Sequence, residues 1–347
     1  MRNLVRHAAV VGVAIGLALT VGASGAQASG SPAVNPRWRV VYHVNLKVTN
    51  YWLFALTATS RTDAWALGYV PRNGRIASEF LEHWNGSRWR MTTVPGIAFM
   101  PQALAASGPT NVWLFGPGRA FRWDGNRWSR VIIPPNVGIG DPLVLGTADV
   151  WTTGGGSCND SFVYHWDGTN WTRYSVPMGL EHVSGSSSRN IWVVGTSPWG
   201  ACHPGRSARL VAYRWSGNSF QRVNIPAING QHGSNVAVAS PDDIWITSAG
   251  FRVIAHWTGS GWHRQRGVPV LAKAGFWVLA PDGHGGAWFG GCEHWSAGVW
   301  HAVFAADGCQ ETWGIAPIPA SRSAWRLGIG RFGGREEGTI EINGPLP

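Results

Sequence analysis

Residues 147–177 decide the fold: Thr147-Ala148-Asp149-Val150-Trp151, then Tyr164-His165-Trp166-Asp167-Gly168-Thr169-Asn170-Trp171, then Val176-Pro177. The first part is a polar turn running into Asp-x-Trp. The second is a hairpin, because Asp-Gly between hydrophobic runs is the strongest short-range signal for a tight β-turn. Working outward, the first part recurs as Asp63-Ala64-Trp65, Asn111-Val112-Trp113, Asn190-Ile191-Trp192, Asp243-Ile244-Trp245, Gly286-Ala287-Trp288 and Ser323-Ala324-Trp325, which makes seven copies. The hairpin recurs at Trp84 to Trp89, Trp123 to Trp128, Trp215 to Phe220, Trp257 to Trp262 and Trp295 to Trp300, but is complete only six times. A period of roughly 20–50 residues marks a solenoid, propeller or array.

The incomplete copy shows how the array ends. Glu341-Ile342-Asn343-Gly344 matches the start of the hairpin and then stops, whereas Arg37-Trp38-Arg39-Val40-Val41 matches the strand that follows a hairpin. The N-terminal strand is therefore expected to complete the seventh unit and close a ring. With four strands per unit (a to d, inner to outer), this predicts an all-β fold, a seven-bladed β-propeller of four-stranded antiparallel blades. An open solenoid would need capping repeats instead. In Ala64-Trp65-Ala66-Leu67-Gly68 large and small residues alternate, so large faces can seat against the small faces of the next blade. A buried Trp contributes up to about 5 kcal/mol before entropy, which makes the repeated Trp residues core. His83, His165, His256 and His294 share one place in the repeat with Arg122 and Arg214, so that place reads as structural and not as a metal site.

Before the repeats, Arg2 and Arg6, the apolar run Val10 to Leu19 and the small-x-small site Ala26-Gln27-Ala28 read as a secretory leader. The expectation is a leader over 1–28, cleavage after Ala28, and one propeller domain over 29–347, exported, with no membrane span or anchor and monomeric. The composition agrees: 23 Trp, 47 Gly and 21 Pro suit many short strands and tight turns, not disorder. The net charge of +10 suits attraction to acidic polymers such as anionic cell-wall glycans. Nucleic acid is a weaker candidate, since there is no basic run and no nucleic-acid motif.

Asp/Asn-x-Trp followed by His-Trp-Asp/Asn-Gly-x-x-Trp and a closing Pro resembles the β-propeller repeat of many exported bacterial proteins, actinobacterial ones among them, described as Kelch-like or galactose-oxidase-like. The resemblance covers nearly the whole chain after the leader and implies a fold, hardly a function. Phe220 in place of the second hairpin Trp and Gly286 in place of the Asp depart from the pattern.

The a–b and c–d turns are alike from unit to unit, whereas the b–c and d–a connections differ widely, as in Thr196 to Arg209 against Gly116 to Ala120. Both variable sets emerge on one side of the disc, which is therefore the expected working face. Cys158 and Cys202 fall in b–c loops of neighbouring units, and Cys292 and Cys309 in a b–c loop and the next d–a loop. Adjacency in an exported chain predicts disulfides Cys158–Cys202 and Cys292–Cys309. At the channel mouth, Trp52, Trp277 and Trp313 of units one, six and seven are a candidate aromatic platform for a sugar or peptide. Asp141, Glu181 and His182 take corresponding places on units three and four, where carboxylates beside a His can do acid–base work. Trp199, His203, Arg206, His232, Arg252, Glu293, Arg331, Arg335 and Glu336 complete the face.

The leading expectation is an exported binding protein that recognises a glycan, cell-wall polymer or protein through this face. The alternatives are a propeller-type glycoside hydrolase or lyase, sialidase-like, or a purely structural surface protein. The sialidase Asp-box Ser-x-Asp-x-Gly-x-x-Trp is absent, and the six tyrosines offer no set of copper ligands. No cofactor and no metal are expected.

Overall fold

The computed structural model describes residues 37–44, 46, 51–72, 75–92, 101–135, 137, 142–155, 161–198, 208–226, 235–248, 253–266, 278–305, 312–332 and 335–346, with backbone only at 71–72, 75–77, 331–332 and 335–336. The first strand, β1 (Arg39–His43), belongs to the last blade. Blade 1 is β2 (Trp52–Ser60), β3 (Asp63–Arg72), β4 (Arg75–Trp84) and β5 (Trp89–Thr92). Blade 2 is β6 (Ala103–Gly108), β7 (Asn111–Gly116), β8 (Arg119–Trp123) and β9 (Trp128–Val131). Blade 3 is β10 (Leu143–Gly146), β11 (Asp149–Gly155), β12 (Ser161–Trp166) and β13 (Trp171–Val176). Blade 4 is β14 (Gly179–Ser187), β15 (Asn190–Ser197), β16 (Arg209–Trp215) and β17 (Phe220–Val223). Blade 5 is β18 (Asn235–Ser240), β19 (Asp243–Thr247), β20 (Ile254–Trp257) and β21 (Trp262–Gln265). Blade 6 is β22 (Leu279–Pro281), β23 (Ala287–Phe289), β24 (Glu293–Ser296) and β25 (Val299–Ala302). Blade 7 is β26 (Gly314–Pro317), β27 (Ala324–Phe332) and β28 (Arg335–Asn343), with β1 as its outer strand.

All seven sheets are four-stranded and antiparallel. The ring closes as the sequence predicts: β1 pairs with β28, Arg39 opposite Ile342 and His43 opposite Thr339. The residue before β1 ties it to blade 6 as well. Trp38 packs on Trp288 with centroids 5.0 Å apart and donates its indole N–H to the Gly291 carbonyl at 2.6 Å.

Alternating large and small residues form one hydrophobic cluster at each of the seven blade interfaces. Trp65 and Leu67 of β3 face blade 2, while Ala64 and Ala66 face blade 7. Each motif Trp packs in this way against the following blade, and all seven are nearly or fully buried. The motif also explains the repeated His. In blade 1 the Asp63 Oδ1 accepts from the Trp65 indole at 3.1 Å and from His83 Nε2 at 2.8 Å, while His83 stacks on Trp65 at 3.9 Å. Blade 3 repeats this with Asp149, Trp151 and His165. Blade 5 keeps the Asp243–His256 bond and the stack on Trp245. The His is thus a strut that holds the Trp, as expected of a structural position.

Blade 6 reaches the same end by another route. Gly286 stands where the motif has Asp, and Asp282 swings in from four residues upstream to accept from His294 Nε2 at 2.9 Å, with His294 stacked on Trp288. Burial acts to raise the Asp282 carboxyl, but hydrogen bonds from His294 and from the amides of His284 and Gly286 outweigh it and hold it below the usual carboxylate range. Gly286 is required because a Cβ there would run into Asp282 and the Trp295 carbonyl. Gly286→Ala is accordingly expected to cost about 2 kcal/mol in urea unfolding, in the range of a forced overpacking. An unchanged midpoint would show that Asp282 yields without loss.

Candidate functional site

Strand direction places the starts of the a and c strands and the ends of the b and d strands on the face of variable connections. At the channel mouth of that face, Trp52 opens β2 and Trp313 immediately precedes β26, the inner strands of adjacent blades. Their rings meet edge to face, centroids 5.7 Å apart at 75°, and both are half-buried. An edge-to-face pair fixes both rings while leaving π-surface for a ligand. Behind Trp52 the row continues across the sheet: Tyr69 lies opposite it, and Glu79 lies opposite Tyr69. Phe54 packs on Tyr69 at 5.7 Å. Partial burial raises the Glu79 carboxyl above its ordinary value.

Glu181 and His182 lie on β14, the inner strand of blade 4, on the far side of the ring from blades 7 and 1. Register slips between Leu180 and His182, so Glu181 occupies a bulge, a place where strands re-aim side chains. Both are half-buried. Trp277, Asp141, Trp199, His203, Arg206, His232 and Arg252 lie outside the described residues, as do Cys158, Cys202 and Cys309. Arg331 ends β27 in register with Glu336, and only the backbone of these two and of Arg335 is described. Cys292 is fully buried and disulfide-bonded.

Glu293 needs correction in its exposure. It starts β24 at the variable-face end of blade 6, as expected, but is buried there at 2% exposure, opposite Phe289. Its place has a wider meaning. The strand-c residue opposite the one after the motif Trp is Phe121, Tyr164, Tyr213 and Ala255 in blades 2 to 5, but Glu293, Glu341 and Glu82 in blades 6, 7 and 1. Three successive blades thus bury a carboxylate where the others bury an apolar or aromatic side chain. Glu341 is matched by Arg326, whose Nη1 lies 2.6 Å from Oε2, both side chains fully buried. Glu82 receives the Tyr42 hydroxyl from β1 at 3.3 Å. Burial pushes its carboxyl up to about 7, against a weaker lowering by that hydrogen bond. For Glu82 and Glu293 the signal was available in the sequence, two residues before the hairpin Trp, but Glu341 has no such Trp after it and only register alignment groups the three.

Among the described residues no helix is long and apolar enough to cross a membrane, and no group of His, Cys, Asp and Glu is arranged to hold a metal ion. The fold and its seven equivalent blades define the chain as a seven-bladed β-propeller. No protein-family model and no curated sequence matches it. Solved propeller structures do. YCF48 bound to D1 peptide is 16% identical, with 90% of this chain and 98% of that chain covered and a TM-score of 0.55. Catalytically inactive virginiamycin B lyase from Staphylococcus aureus with quinupristin is 13% identical, with 88% and 99% covered and a TM-score of 0.57. At these identities the likeness is one of fold.

Proposed function

We propose that the chain is an exported binding protein, freed of a leader over 1–28, that recognises a glycan of the cell wall or cell surface at the channel mouth of its variable face. The Trp52–Trp313 pair carries this reading: two rings from adjacent blades, half-buried and held edge to face, form the kind of platform on which the apolar face of a sugar stacks. The export reading rests on the leader pattern of Arg2, Arg6, Val10 to Leu19 and Ala26-Gln27-Ala28. With it go the disulfides Cys158–Cys202 and Cys292–Cys309, which would staple the variable loops; the bonded state of Cys292 supports the second.

The test is a glycan and cell-wall polysaccharide array probed with wild type, Trp52→Ala and Trp313→Ala. Saturable binding is expected, weakened at least tenfold by each substitution, because aromatic anchors dominate binding energy. Binding indifferent to both substitutions would move the site to Glu181 and His182 on blade 4. An array without hits would sink the glycan reading in favour of a peptide ligand, a class bound by a propeller of the same architecture.

A further inference from the structure

We infer that blade 4 carries an oxyanion pocket on the face of uniform turns, opposite the channel-mouth tryptophans, that takes the charged group of an acidic sugar. A cavity of about 430 Å³ there is lined by Arg189, Arg214, Ser216 and Gln221, with Trp215 and Val223 as its apolar wall. That volume suits a sugar-sized ligand. Arg189 comes from the turn between β14 and β15, and Arg214 and Gln221 face each other across β16 and β17.

Three positions of blade 4 lack negative charge that some other blades carry, or add positive charge. Asn190 replaces the Asp of the motif, Arg214 replaces the stacked His, and Ser216 stands where the hairpins of blades 2 and 3 have Asp124 and Asp167. Blade 2 shows that the first two exchanges do not by themselves make a site. There the Arg122 Nε donates to Asn111 Oδ1 at 2.8 Å, which ties the guanidinium to the motif side chain. In blade 4 Asn190 likewise accepts from the Trp192 indole and donates to Ser186, as Asn111 does with Trp113 and Ser107, so the difference lies in the arginine. Arg214 rests with its guanidinium carbon 5.8 Å from the centre of the Trp192 ring. Among the described residues neither Arg189 nor Arg214 has a carboxylate partner.

The space itself is a second departure. In four hairpins the glycine sits on the a–b turn of its own blade, so that a Cβ on Gly86, Gly125, Gly168 or Gly259 would come within 2.7–2.9 Å of that turn. A Cβ on Gly217 would meet nothing within 4 Å. The turn that carries Arg189 thus leaves a gap beneath the hairpin, and the two guanidinium groups border it. Paired guanidinium forks suit phosphate and carboxylate oxygens, while Gln221 and Ser216 can serve the sugar hydroxyls. Exposed Arg173, Arg222 and Arg264 occupy one equivalent place on the outer strands of blades 3 to 5, a field that draws an acidic chain toward the pocket.

Calorimetric titration of the purified protein with glucose 6-phosphate, glucuronate and glucose tests the assignment. Saturable binding of an acidic sugar is expected, with none of glucose, and the affinity falls as salt rises. Arg214→Gln and Arg189→Gln each weaken it at least tenfold. So does Asn190→Asp, which restores the motif carboxylate beside Arg214. Arg130→Gln, on blade 2, leaves it unchanged. Glucose 6-phosphate alone would make the pocket a phosphate site, and glucuronate alone a carboxylate site; either supports the inference. Equal binding of glucose, no binding of either acidic sugar, or an equal loss in Arg130→Gln and Arg214→Gln would overturn it. The exchanged arginines are exposed and Asn190→Asp recreates the standard repeat, so thermal midpoints should hold at the wild-type value. The channel-mouth reading stands or falls separately, on Trp52 and Trp313.

Discussion

Arg326→Met is expected to destabilise the protein by about 4 kcal/mol at pH 7, and adding Glu341→Leu to return most of that loss. The two side chains are fully buried between blades 6 and 7, their charged atoms 2.6 Å apart. Arg326 also donates from Nε to Thr312 Oγ1 at 2.9 Å, and Thr339 donates to the second Glu341 oxygen at 2.9 Å. Gly328 makes the room, since a Cβ there would stand 2.7 Å from both the Arg326 Nη1 and the Glu341 Oε1. Removing the arginine alone leaves a carboxylate without its counter-charge where water does not reach, which is the costly case. Removing both ions exchanges the network for apolar packing of the kind that blades 2 to 5 use at the same level. Urea unfolding of the two single variants and the double variant decides it. A loss below about 1 kcal/mol for Arg326→Met, or a double variant as unstable as the sum of the singles, would show that the pair is not coupled.

That network also marks the limit of what the sequence discloses. Blade number, strand order and closure by the N-terminal strand were legible because they rest on repetition: six Asp/Asn/Ser-x-Trp turns, a seventh with Gly286, and six hairpins set the period, and the half-hairpin at Glu341 to Gly344 has one complement, near Arg37 to Val41. The His strut was legible as a structural position because Arg122 and Arg214 could replace it. What escaped were substitutions whose meaning depends on a partner outside the motif. Gly286 read as a departure from the motif, whereas Asp282 restores the missing carboxylate. Glu293 read as one more residue of the variable face, whereas the register makes it the first, buried residue of β24. The channel-mouth site was half legible: the tops of the inner strands located Trp52 and Trp313, but alternation along a strand could not tell that their rings meet. The blade 4 pocket escaped because each of its three exchanges is unremarkable alone.

Glu82 gives the protein a stability that is highest in mild acid and falls by about 3 kcal/mol as pH rises past about 7. The side chain is fully buried on β4 and faces blade 7. Oε1 accepts from Tyr42, while Oε2 is buried with no partner among the described residues. The groups around it do not help the charged form. Tyr42, pushed up to about 12 by burial, stays neutral, and Tyr51 spends its hydroxyl on the Val44 carbonyl. Glu337, engaged with His43 at 2.9 Å, is itself an acid. Because the folded carboxyl titrates above its unfolded value of about 4.5, the folded state holds a proton that the unfolded chain has released. The resulting stabilisation is complete below about 4.5 and is lost as pH climbs through about 7. Glu82→Gln keeps an acceptor for Tyr42 and removes the titration. It should therefore match wild type near pH 4.5, exceed it by up to about 3 kcal/mol at pH 8.5, and flatten the profile between. Urea midpoints at the two pH values read this directly. A wild type equally stable at both, or a Glu82→Gln variant that keeps the wild-type slope, would place the titrating group elsewhere. The Tyr42–Glu82 bond joins the outer strand of blade 7 to blade 1, so the cost of burying the Glu82 charge falls at the interface where the ring closes.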